Sequence, residues 1–144
     1  MSLAEQRAAL DVRYPALASQ VPTIRHAVGE IARGLGADDD VLLQIKLAVS
    51  EAATNAILHA YRDRAAGDAG DVRVVVHGGE LDDSFVVHVY DRGVGLTPRP
   101  DSPGLGLGLC LMAHETDRFE ICKAPDGGTE VVLHFRLSGL CAAL

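Results

Sequence analysis

The sequence predicts an α+β fold, a two-layer sandwich whose mostly antiparallel mixed sheet carries its helices on one face. Three observations lead there. Apolar residues recur at helical spacing in two consecutive segments, 21–35 and 41–60. Later segments around 72–77, 85–90, 119–122 and 129–137 alternate apolar and polar residues, with glycine-bearing turns within each pair. Helices and strands are largely segregated along the chain, whereas a parallel sheet needs them to alternate.

Residues 1–10 are Ala-rich without a boundary signal and read as an N-terminal extension; 11–137 form the one domain and 138–144 a tail. Val12-Arg13-Tyr14 before Pro15 reads as a short strand, placed at an edge because proline cannot donate to a ladder. Val21, Ile24, Val28, Ile31, Ala32 and Leu35 then mark a helix that Pro22 opens and Gly34 and Gly36 stop. Asp38-Asp39-Asp40 offers the next helix an N-cap and first-turn negative charge that complements the dipole.

On that second helix Leu42, Ile45, Val49, Ala52, Ala53, Ala56 and Ala60 gather on one side, and Leu43, Leu47 and Leu58 nearly opposite, so both sides are expected to be covered. Glu51 and Asn55 stand one turn apart on a polar strip between them. Such a strip either lines a cleft or is simply solvated. After a charged, Ala- and Gly-rich loop, 72–77 and 85–90 form one strand pair across Gly78-Gly79. A second pair, 119–122 and 129–137, follows across Pro125-Asp126-Gly127-Gly128. Between the pairs, residues 91–108 hold five glycines and three prolines and lead into a helix at 107–114.

At 144 residues, 48% of them apolar, the chain makes one globular domain with one core. A net charge of −7 with two lysines, Lys46 and Lys123, argues against a nucleic-acid backbone or an anionic membrane as partner. Three cysteines, without Cys-x-x-Cys spacing or a secretory signal, point to a reducing cytoplasm. The six histidines show no zinc-ligand pattern, and no uninterrupted apolar run approaches about 18 residues, the length of a membrane span.

Glycine clusters at Asp91-Arg92-Gly93-Val94-Gly95 and Gly104-Leu105-Gly106-Leu107-Gly108 would let a ligand approach the backbone, the second at a helix N-terminus suited to an anion. Read alone, the second is equally a hinge or a packing site. Neither a P-loop nor a Gly-x-Gly-x-x-Gly fingerprint is present, since Leu109 and Leu111 stand where the latter needs glycine. Asp91, ending a strand, either accepts a hydrogen bond from a base amino group or merely starts a turn.

Together the four boxes, Glu51-x3-Asn55, Asp91-x-Gly93-x-Gly95, Gly104-x-Gly106-x-Gly108 and Gly127-Gly128-Thr129, resemble the ATP-binding superfamily that unites DNA gyrase, heat-shock chaperones, histidine kinases and mismatch-repair ATPases. The stretch Leu47-Ala-Val-Ser-Glu51-Ala-Ala-Thr-Asn55-Ala, with His59-Ala-Tyr61, is most similar to the small bacterial anti-sigma-factor serine kinases, over roughly 11–137. The resemblance implies the histidine-kinase-type ATPase fold, with ATP and Mg²⁺ as cofactors.

It also implies roles. Asn55 would bind the Mg²⁺ that bridges the phosphates, and Asp91 would read the adenine amino group. Gly93 and Gly95 would shape the base pocket, Gly104, Gly106 and Gly108 would contact phosphates, and Thr129 would support Asp91 and the base. Glu51 would be the general base for a serine hydroxyl or water. Residues 97–103 correspond to a short lid, in which Arg99 either approaches the γ-phosphate or is merely exposed. The implied protein partners are a sigma factor, an anti-anti-sigma antagonist as serine substrate, and a second copy of the chain. Two other functions share these motifs: a non-catalytic ATP-gated binding module, and the catalytic domain of a split histidine kinase.

Overall fold

The computed structural model describes residues 7–62, 70–78, 83–92, 116–125 and 127–138, the side chains of 59–62 excepted. In chain order these give strand β1 (Leu10–Pro15), a single 3-10 turn (Ala18–Gln20), helices α1 (Val21–Gly34) and α2 (Asp39–Arg62), and strands β2 (Asp71–Gly78), β3 (Ser84–Asp91), β4 (Arg118–Lys123) and β5 (Thr129–Arg136). The helix expected at 107–114 lies outside the described residues.

The helix boundaries follow from local chemistry. Pro22 sits in the first turn of α1, where its missing N–H costs nothing. At the other end Gly36 takes φ +99°, which a side chain would resist. This lets Gly36 N–H donate to Arg33 O (3.0 Å) and Ala37 N–H to Ala32 O (3.0 Å), the paired bonds of a Schellman stop. Asp38 then caps α2, its Oδ1 accepting from Val41 N–H at 2.9 Å.

The sheet runs β1-β2-β3-β5-β4, and every pairing among the described residues is antiparallel. Because side chains alternate across a strand, register decides which rows meet the helices. Val12, Val74, Val89, Val131 and Ile121 form one such row, and Leu10, Val76, Val87, Leu133 and Phe119 the next. Against them pack Ile24, Val28 and Ala32 of α1 and Ile45, Val49, Ala52 and Ala53 of α2, all fully buried. Each such Val, Ile or Leu contributes about 1.5–3 kcal/mol on leaving water.

The expectation that α2 is covered on both apolar sides is not met among the described residues. Leu42, Ile45 and Val49 are buried, but Leu43 is 58% exposed and Leu58 44%. In a two-layer sandwich a helix turns one side to the sheet, and the opposite side needs a further element. The averaged hydropathy of Asp39–Leu58 also reaches that of a membrane span, although polar residues interrupt every apolar run. Over half of that stretch is buried inside this domain, as in the core helix of a water-soluble fold.

Candidate functional site

One row of the helix-facing side breaks the apolar pattern: Tyr14, Val72, Asp91, Thr129 and Lys123 succeed one another across the sheet. Asp91 ends β3 and Thr129 begins β5, and the two are direct cross-strand partners. Both are buried, at 4% and 2% exposure. From the other layer α2, which packs on β2, β3 and β5, contributes Asn55, 7% exposed. These are the buried polar or charged residues among those described.

Buried polar groups are normally paired, because an unmade hydrogen bond costs about 1–3 kcal/mol. Among the described residues Asn55 Nδ2 and Thr129 Oγ1 are buried without a partner on this side, and His77 Nδ1 and His88 Nε2 on the opposite sheet face. Buried polar groups on this side thus come from both layers, Asp91 and Thr129 from the sheet and Asn55 from the helix packed on it. Ala48, Ala52, Ala53 and Ala56 are buried on α2 together with Ile45, Val49 and Ile57.

Glu51 lies one turn before Asn55 on α2 and is partly exposed. Its neighbour Ser50 is held from two sides: Ser50 Oγ donates to Lys46 O at 2.7 Å and accepts from Arg25 Nη1 of α1 at 3.3 Å. Sequence reading missed this Arg25–Ser50 contact, since the partners are 25 residues apart and lie on different helices. Gly93, Gly95, Gly104, Gly106, Gly108 and Arg99, expected in a lid, lie outside the described residues, as do the side chains of His59 and Tyr61.

The opposite sheet face carries a second polar system. Arg73 donates from Nε and Nη2 to the two carboxylate oxygens of Asp11, at 2.8 and 2.7 Å, and lies 5.5 Å over the Tyr90 ring. Its hydrogen bond holds the Asp11 carboxyl below its usual range. His88 Nδ1 lies 2.8 Å from Glu130 Oε1, and its ring stacks on Tyr90 and meets His77 edge-on. Burial pushes the Tyr90 hydroxyl up, reinforced by Glu130. A cleft of about 200 Å³ opens at this end of the sheet, where Arg13, Arg73 and Arg92 meet Asp71, Asp91 and Tyr90.

Residues 14–135 match the family described as the histidine kinase-like ATPase domain. The anti-sigma F factor of Pasteuria penetrans is 32% identical over 138 residues, spanning 88% of this chain and 89% of the relative. The serine-protein kinase RsbW of Bacillus licheniformis is 33% identical over 132 residues, 85% of this chain and 81% of the relative. Among solved structures, a chain of the SiaB–SiaC complex from Pseudomonas aeruginosa aligns over 92% of both chains with a TM-score of 0.67 at 16% identity, a likeness of fold.

Proposed function

The chain belongs to the histidine kinase-like ATPase domain family, and from that premise we propose that it is an ATP- and Mg²⁺-dependent protein-serine kinase acting as an anti-sigma factor. In this reading it is a cytoplasmic homodimer that binds a sigma factor and phosphorylates that factor's anti-anti-sigma antagonist. What supports the site is that Asp91 and Thr129, cross-strand partners, and Asn55 of α2, one turn from Glu51, are the buried polar or charged residues among those described.

Bound Mg²⁺–ATP supplies the transferable phosphoryl group and the charge neutralisation that phosphoryl transfer needs. The chain's own residues do the rest. Asn55 would offer its carboxamide oxygen to the ion, the donor type that Mg²⁺ prefers, while its orphaned Nδ2 is a hydrogen-bond donor and not an ion ligand. Asp91, buried at the sheet end, accepts from the adenine amino group, a bond that a low-dielectric site strengthens. Gly93 and Gly95 would bound the base pocket, and the amides of Gly104, Gly106 and Gly108 would meet the phosphates. Since the chain is acidic overall, at −7, such amides and the ion must hold an anionic nucleotide without a lysine-rich surface.

Glu51 takes the proton of the attacking serine hydroxyl. Its partial exposure suits that task, because the hydroxyl arrives on another protein and must reach the carboxylate. The reading is tested by phosphate transfer from labelled ATP to the antagonist. Glu51→Ala should lower transfer by roughly 100-fold or more while nucleotide affinity holds within about threefold. Asn55→Ala should lose both. Equal transfer by Glu51→Ala and wild type removes Glu51 from the chemistry, and acid-labile phosphate on the partner would point to a phosphohistidine instead.

A further inference from the structure

The two glycines before Thr129 are there for different reasons. Gly127 takes φ +96° in the β4–β5 turn, with nothing within 4 Å of where its Cβ would stand. Its need for glycine is conformational. Gly128 is not among the residues with positive φ, yet a Cβ there would overlap the carbonyl oxygen of Asp91. It would also fall 2.7 Å from the Asp91 carbonyl carbon and 2.9 Å from Arg92 Cα. All three atoms are backbone, so no rotamer change relieves the clash.

The turn presses Gly128 into this position. Ala124 N–H donates to Gly128 O at 2.8 Å, and Gly127 N–H to Ala124 O at 3.0 Å. Thr129, the next residue, is already the cross-strand partner of Asp91. The start of β5 therefore closes directly onto the peptide that carries the Asp91 side chain. A carboxylate reads a base only if its oxygen sits within hydrogen-bond distance and direction of one amino group. A shift of its peptide by a few tenths of an ångström changes that geometry.

We infer that Gly128 is a positioning residue for base selectivity: its bare Cα lets β5 seat the Asp91 backbone where the carboxylate can recognise a purine 6-amino group. This rests on the reading of Asp91 as the adenine contact. A second glycine in the turn, Gly127, provides an internal control, since substituting it strains the same turn without touching Asp91.

The test is calorimetric affinity for ATP and for purine riboside triphosphate, which is ATP without the 6-amino group, with Mg²⁺ present. Wild type should prefer ATP by roughly tenfold or more, as loss of a hydrogen bond to a charged acceptor implies. Gly128→Ala should bring that ratio close to one, mainly by weakening ATP. Gly127→Ala should unfold at lower urea yet lower the ratio far less than Gly128→Ala, since it adds no atom against Asp91. A folded Gly128→Ala that retains the wild-type ratio overturns the inference. A wild type that does not distinguish the two nucleotides overturns the assignment of Asp91 itself. If Gly128→Ala does not fold, a variant with one glycine inserted after Pro125 relaxes the turn without adding a Cβ at a tip that tolerates insertion. A reduced ratio in that variant supports the inference, and an unchanged one overturns it.

Discussion

Thr129 carries a cost that a core residue would avoid. Its hydroxyl is buried and, among the described residues, unpartnered where an isosteric methyl would satisfy the packing. Thr129→Val should therefore raise the stability of the nucleotide-free protein, by on the order of 1 kcal/mol in urea unfolding, while weakening ATP binding. A variant both less stable and unchanged in affinity would show that the hydroxyl serves the fold and not the ligand. Among single residues, Asp91 was legible as a carboxylate ending a strand before glycines, and Thr129 only through the resemblance of its Gly-Gly-Thr box; that both are buried was not legible. The contact of Gly128 with the Asp91 carbonyl and that of Arg25 with Ser50 were not legible either. Each joins positions far apart in sequence, and no local periodicity encodes which backbone comes to lie against which.

At the scale of elements, α2 was readable from its start, because Asp38 and the 3.6-residue apolar period are local signals. The β2–β3 and β4–β5 hairpins were readable from their turns, whereas the β1–β2 and β3–β5 pairings were not. What the strands do on the face away from the helices was not readable either, since His77, His88 and His134 look scattered until register gathers them. Burial pushes His77 and His134 below the ordinary 6.5, with His88 adding to the first and Arg118 to the second. Asp11 beside His77 and Glu120 beside His134 oppose the shift without reversing it.

A histidine with a depressed folded-state pKa stays neutral in the fold but takes up a proton when unfolded. Stability is thus full above about pH 6.5 and falls as pH drops from there through the depressed values. The midpoint in urea should be lower at pH 5.5 than at 7.5 for wild type, with a visibly flatter dependence in the His77→Gln/His134→Gln double variant. Identical slopes in the two proteins would exclude these side chains as the source. Asp11, whose pKa lies below 3.8 because Arg73 bonds it, loses its contribution only at more acidic pH and does not confuse this window.

For the whole molecule, the proposed homodimer follows from the kinase reading and is supported by apolar side chains left in solvent around the N-terminal strand, Val12 at 37% and Leu17 at 43% exposure. Sedimentation equilibrium should return twice the 15.2 kDa of one chain; a single-chain mass at working concentration would remove the dimer. The sequence by itself determined the fold class, the order of the elements and the motif set that marks a nucleotide site. These rest on short-range physics: apolar period, capping, turn chemistry and glycine spacing. Only the tertiary structure decided that Asp91, Thr129 and Asn55 are buried, that among the described residues Thr129 Oγ1 and Asn55 Nδ2 are unpaired and one apolar side of α2 stays exposed, and that Gly128 abuts Asp91. Those facts come from sheet register and layer packing, which depend on every element at once and leave no mark in any one stretch of chain.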